Sequence, residues 1–248
     1  MLLTPLGAFK APGGPTSQGG RCLSGQGGPI CSDVVKDRPN LTLAVKRLVR
    51  DVAGRVPEFA HIKASRVLVV AGEARRASRA TIRPAHFGIT RRRIASAGGA
   101  VKPLVRIKGR KILYIITLRP LWFVGSSQKE RLATVLHELY HASNRFDGTL
   151  HGGRRHSRLP LRKYNRRVGK LLDRYLSQAS PEVLAPFAYQ GEVRVRMWLE
   201  GPGSFHEEEY GGRKVYTEQQ LYYGLAVMRG ARPSRRGRGG NGRRGTLS

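Results

Sequence analysis

Residues 137–141 of this 248-residue chain read His-Glu-Leu-Tyr-His, and the residues around them direct the segment into a helix. Ser127 and Glu130 have the Ser-x-x-Glu spacing of a capping box, in which side chains and backbone satisfy amide groups that a helix start leaves open. Behind them Leu132, Val135, Leu136 and Leu139 recur at helical spacing, which predicts a helix from about 128 to 142. Residues four apart stand on one helix face, so His137 and His141 present two imidazoles that can reach one Zn2+ at about 2.0–2.1 Å. Glu138 then stands beside the metal-bound water. Zinc lowers the pKa of that water to about 7, and a carboxylate that accepts its proton during attack on a carbonyl completes a hydrolase. Chance would produce this motif on the order of 0.01 times in a chain of this composition.

A catalytic zinc takes three protein ligands and keeps a fourth position open. Downstream of the motif lie Asp147, His151 and His156. His156 leads, because it directly precedes a second expected helix whose packing against the first would fix it. Asp147 follows His141 by six residues, the spacing of a metzincin third ligand, with Asn144 where that pattern has glycine. Asn tolerates the left-handed backbone, but Asp147 is equally a turn residue in Phe146-Asp147-Gly148. His151, between Leu150 and a Gly-Gly pair, is the remaining alternative.

Met1 to Asp33 is rich in Gly, Pro and Ser without apolar periodicity, the composition of a disordered leader. Residues 229–248 hold seven arginines and no acid, a basic flexible tail. Between them, 34–228 is expected to be one domain. Its periodicities predict a helix over 41–54, a buried strand over 66–72 and a hairpin about Lys108-Gly109-Arg110 whose second strand spans Ile112 to Leu118. They also predict a basic amphipathic helix over 160–177 and a half-exposed strand over 192–200, whereas 215–228 fits helix or strand. The expected fold class is α+β: a small, mostly antiparallel sheet packed on helices, with the motif helix over a cleft. Strand 112–118 is the expected cleft edge, able to pair with an extended peptide.

His137 to His141, followed by Phe146-Asp147-Gly148, then Arg154-Arg155-His156 and a basic helix, resembles the phage-type zinc metallopeptidases and, more distantly, the SprT-like zincins. The similarity runs from about 41 to 228, includes residues 61–84, and leaves out both ends. It implies a zincin-like fold, with His137, His141 and His156 as metal ligands and Glu138 as the base. No metzincin-type Met-turn is evident, which weighs against Asp147. The resemblance bears on the site more than on the reaction, since little substrate chemistry is assigned to that family.

Forty-six Lys and Arg against 16 Asp and Glu give a formal charge of +30, which points to a polyanionic partner. Arg75, Arg76, Arg79, Arg83 and Arg91 to Arg93 form one basic run, and the tail adds another without stacking aromatics. The expected contact with DNA or RNA is therefore nonspecific and salt-sensitive. Cys22 and Cys31 alone build neither a disulfide framework nor a Cys-rich zinc site, so a reducing compartment, the cytoplasm near the nucleoid, is expected. The most apolar stretch, Ile112 to Val124, is too short for a membrane span and is broken by Arg119-Pro120. Tyr140, Tyr164 and Tyr175 read as packing residues that could also donate to an oxyanion, and 206–209 as a solvated acidic turn. The expected function is zinc-dependent hydrolysis of peptide bonds in a protein or peptide substrate, with one zinc per chain, near nucleic acid. The alternative is a basic nucleic-acid-binding protein with a structural or inactive zinc site.

Overall fold

Helix α1 (Leu41–Arg55) begins at Asn40, whose side chain accepts the Leu43 N–H at 2.9 Å and so satisfies one of the open amides of the first turn. Leu41, Val45, Leu48, Val49 and Val52 are buried and Arg47 and Arg50 exposed, as the spacing predicts. The computed structural model describes residues 38–72, 78–85, 100–101, 104–202, 205–206 and 214–230. The expected leader and nearly all of the arginine tail lie outside these residues, as do Arg75, Arg76, Arg91 to Arg93 and Glu207 to Glu209. After α1 come strands β1 (Val67–Ala71), β2 (Ala80–Pro84), β3 (Ala100–Val101), β4 (Leu104–Ile107), β5 (Arg110–Lys111) and β6 (Tyr114–Leu118). Helices α2 (Pro120–Phe123), α3 (Gln128–Tyr140), α4 (Leu161–Leu176) and α5 (Pro181–Ala188) follow. The last strands are β7 (Gly191–Trp198), β8 (Phe205–His206), β9 (Val215–Tyr216) and β10 (Leu221–Met228).

The class is α+β, and the main sheet runs β10-β7-β1-β6-β2. Its outer pairs, β10–β7 and β2–β6, are antiparallel as expected, while β1 lies parallel to both β6 and β7. Parallel strands occur where both faces of a sheet are covered, and here every residue of β1 and β6 is buried. Val67, Val69, Tyr114 and Ile116 join the core beneath the helices. Leu68, Val70 and Ile115 join a smaller core with Val105, Ile112 and Tyr216, to which the three-stranded sheet β5-β4-β9 contributes.

The predicted hairpin forms only in its first half. Lys108 and Gly109 both adopt left-handed backbone, φ 49° and 70°, as a type I′ turn requires, and β4 pairs with β5. The pairing ends with the Ile112 N–H donating to Val105 C=O at 2.9 Å. Ile112 enters the smaller core, and the chain continues as β6 between β1 and β2. Strand 112–118 is thus neither the second hairpin arm nor an edge; β2 and β10 are the edges of this sheet. The physical reason is that Tyr114 to Leu118 are all buried, which suits an interior strand flanked on both sides. Residues 215–228 resolve into β9, a 3-10 turn capped by Thr217, and β10. No helix among the described residues is long and apolar enough to cross a membrane.

Helix α3 follows its predicted capping box: Ser127 Oγ accepts the Glu130 N–H and Glu130 accepts the Ser127 N–H. Its apolar stripe is buried, and so is Arg131, which is only 1% exposed. The Arg131 guanidinium donates to the carbonyls of Phe123, Val124, Phe187, Tyr189 and Arg229, at 2.5–3.3 Å. These five acceptors lie at the ends of α2, α5 and β10, so one side chain closes three carbonyl-rich termini around α3. The Phe123 and Val124 carbonyls also accept the N–H groups of Ser126 and Arg229, so replacing Arg131 removes this donor chiefly from Phe187, Tyr189 and Arg229, at about 1–3 kcal/mol for each carbonyl left buried and unpaired. Arg131→Met should therefore lower unfolding free energy by about 3 kcal/mol or more, read as a lower urea midpoint at unchanged m-value.

Candidate metal centre

Helix α3 is fastened along the sheet edge at two points. Near its start Glu130 pairs with Arg79 at 2.6 Å, and near its end Glu138 Oε2 accepts the Ile82 N–H at 2.8 Å. Eight helical residues advance about 12 Å and three strand residues about 10 Å, so the two attachments fit elements lying side by side. The Ile82 N–H is free for this bond because of the β2–β6 register. Arg79 and Ala85 turn their peptide groups toward β6, and alternation sends those of Ala80 and Ile82 the other way.

With α3 held in this rotation, His137 and His141 both face the segment that returns from the helix end. That return is built from backbone bonds. His151 N–H donates to His141 C=O, Ser143 N–H to Thr149 C=O, and Ala142 bridges Leu150. Tyr114 of β6 ties the loop to the sheet, donating to Thr149 C=O at 2.7 Å and accepting the Gly148 N–H at 3.2 Å. Phe146 takes a left-handed backbone, φ 49°, that a bulky residue rarely adopts, and its buried ring packs on Tyr114. A 3-10 turn over Gly152–Arg154 then brings His156 back over α3.

The structure brings His137, His141 and His156 together, with one ring nitrogen of each within 4.8 Å of the others. His137 Nε2 and His156 Nε2 are 3.2 Å apart. Two ligands about 2.0–2.1 Å from a tetrahedral ion lie about 3.3–3.4 Å from each other, so this separation already has the length of one edge of a coordination tetrahedron. Among the described residues no fourth His, Cys, Asp or Glu joins the group, and the site opens to solvent at His156. These three imidazoles could hold a metal ion.

Neither alternative third ligand joins the group. Asp147 accepts from Thr149 N–H and Oγ1 at 3.0 and 2.7 Å, which holds its carboxyl below the usual carboxylate range and makes it the turn residue. His151 lies outside the cluster, its Nδ1 buried and without a hydrogen-bond partner.

Tyr164 of α4 forms the floor of the triad. Its ring centroid lies 4.5, 4.7 and 4.9 Å from those of His137, His141 and His156, stacked on His141 with 22° between the ring planes, and its hydroxyl donates to His137 C=O at 2.8 Å. That commitment removes it as an oxyanion donor; Tyr175 is likewise committed, to Asp51. Tyr140 lies beneath the Arg154 guanidinium, 4.0 Å from the ring centroid. The inward position of Tyr164 was readable from its spacing to Val168 and Leu171, but its contact with all three histidines required the α3–α4 packing. The Ile82 N–H, a backbone group, has no sequence signal.

Burial, then the His156 charge, pushes His137 down to about 4, with an Asn165 hydrogen bond opposing. Burial, then the His137 and His156 charges, does the same to His141, also to about 4. Both rings are therefore neutral at neutral pH, with lone pairs available to a metal. Glu138 is pushed up to about 8 by burial, against the Ile82 hydrogen bond. Comparison with protein-family models, curated proteins and solved structures gives no match for this chain.

Zinc titration followed by calorimetry should give one site per chain. His156→Ala should abolish retention of zinc through dialysis, while Asp147→Ala and His151→Ala retain it. Tyr164→Leu, which removes the floor but no ligand, should weaken zinc binding by about 10–100-fold.

Proposed function

We propose that this chain is a zinc-dependent metallopeptidase of zincin-like architecture, similar to the phage-type and SprT-like enzymes, that hydrolyses peptide bonds at the His137, His141 and His156 centre. The observation that carries the reading is Glu138. Its carboxyl lies on the same helical turn as the imidazoles, is only 8% exposed, and has no cationic partner among the described residues. Burying an unpaired carboxyl is costly, and a proton-transfer role explains its presence beside a metal-binding group.

Three imidazoles with an open fourth position are the ligand set of a catalytic zinc. A zinc ion held there supplies Lewis acidity, polarising the scissile carbonyl and lowering the pKa of water to about 7. Glu138 Oε2 remains on the Ile82 N–H; a cation held by the neighbouring imidazoles would favour the ionised carboxylate over the protonated form that burial favours, and Oε1 would then take the proton of the attacking water and deliver it to the departing amine. The rival structural-zinc reading requires a fourth ligand, and none joins the group among the described residues.

Glu138→Gln keeps the shape and the Ile82 hydrogen bond but cannot take a proton. It should bind zinc like the wild type and cleave a denatured protein substrate at least about 100-fold more slowly, as measured by fluorogenic peptide release with and without a zinc chelator. Equal rates in the two proteins would remove Glu138 from the mechanism.

A further inference from the structure

Far from α3 in the sheet order, β7 and β10 present a face unlike an ordinary solvated strand pair. Tyr223, Leu225 and Val227 lie opposite Arg196, Arg194 and Glu192 in the antiparallel register, so all six project from one side of the sheet. The three β10 residues are 42%, 52% and 44% exposed. Arg194 and Arg196 place their guanidinium carbons 5.1 and 5.3 Å from the Tyr223 ring centroid, and Arg196 donates to the Tyr223 hydroxyl at 3.0 Å. Neither arginine forms an ion pair with a carboxylate among the described residues; of the acids near this face, Glu192 is neutralised by Arg38 at 2.6 Å, and Glu218, which accepts the Lys108 N–H at 3.1 Å, is a single negative charge within the field of Lys108 and Arg196.

Helix α1 extends the positive field. Thr42 Oγ1 accepts the Arg196 N–H at 2.9 Å, and one turn further on lies Lys46. Its amine is held below the usual lysine range by burial and then by the charges of Arg196, Arg50, Arg110 and Lys108. Cations from α1, β7 and the β4–β5 hairpin therefore converge beside an exposed aromatic ring, and a polyanion would relieve their mutual repulsion.

We propose that this face binds single-stranded nucleic acid, with Tyr223 stacking on a base, Leu225 and Val227 extending the apolar platform, and Arg194 and Arg196 holding the adjacent phosphates. An exposed ring on a sheet, flanked by guanidinium groups, matches the alternation of planar bases and charged phosphates in an unpaired strand. A duplex keeps its bases stacked inside and can use the arginines but not the ring. An acidic polypeptide likewise offers charge without planar partners.

The test uses the full chain and a short fluorescein-labelled oligothymidylate, followed by anisotropy over a range of salt concentrations, with no turnover measured. Failure here would therefore leave the metallopeptidase reading standing, and the reverse. Tyr223→Ala should weaken binding by about tenfold at an unchanged salt slope, while Tyr223→Phe binds like the wild type. Arg194→Gln and Arg196→Gln should each reduce the slope of log K against log salt by about 0.7. Photo-cross-linking to a halogenated oligonucleotide should map to the peptide containing Tyr223. The proposal is overturned if all these variants bind within about twofold of wild type, if cross-links fall only on residues 229–248, or if duplex DNA or polyglutamate competes as well as the single strand.

Discussion

The hydrogen bond from the Ile82 N–H to Glu138 couples the edge of the sheet to the helix that carries the histidines. It is a buried bond to an acid that has no other hydrogen-bond or ionic partner among the described residues, so its loss would leave both a peptide N–H and a carboxyl without compensation. It also sets the rotation of α3 about its own axis. With Glu138 turned to β2, the neighbouring His137 and the following His141 are turned toward the returning chain and α4, where Tyr164 and His156 meet them. Sheet edge, buried carboxyl and imidazoles are thereby placed by one contact, supported at the other end of the helix by Arg79 and Glu130.

Two buried ionisable groups of opposite sign lie on α3, and they are satisfied in different ways. Arg131 spends its donors on five backbone carbonyls from three chain segments, which makes it a structural closure with little left to offer a ligand. Glu138 receives one backbone donor and has no further hydrogen-bond partner among the described residues. A saturated buried charge stabilises the packing around it, whereas an under-satisfied one is costly unless chemistry uses it. This difference separates the two groups by role although both are buried on the same helix.

Much of the local structure was legible in the chain. The capping box at Ser127 and Glu130, the apolar stripes of α1, α3 and α4, and the two-residue turn at Lys108-Gly109 each specify their own element through short-range geometry. What the pattern misassigned was the partner of Tyr114 to Leu118. A run of β-branched and aromatic residues after a hairpin turn looks the same whether it pairs back on the hairpin or enters a second sheet, because periodicity records burial and not the neighbour. The mixed character of the sheet followed from that choice, since β6 lies parallel to β1 across a long sequence separation.

The sequence by itself determined that His137 and His141 share one face of a capped helix with Glu138 between them, because 3.6 residues per turn leaves no other outcome. It also narrowed the third member of the cluster to Asp147, His151 or His156. Only the tertiary structure decided among these, since the choice depends on a turn capped by Asp147, a backbone bond between His151 and His141, and the packing of α4 against α3. In the same way the chain's charge pointed to a polyanion, but only the register of β7 with β10 set Tyr223 beside two arginines. Helical spacing is a property of neighbours along the chain, while these juxtapositions join residues tens of positions apart, and they exist only once the sheet and helices have packed.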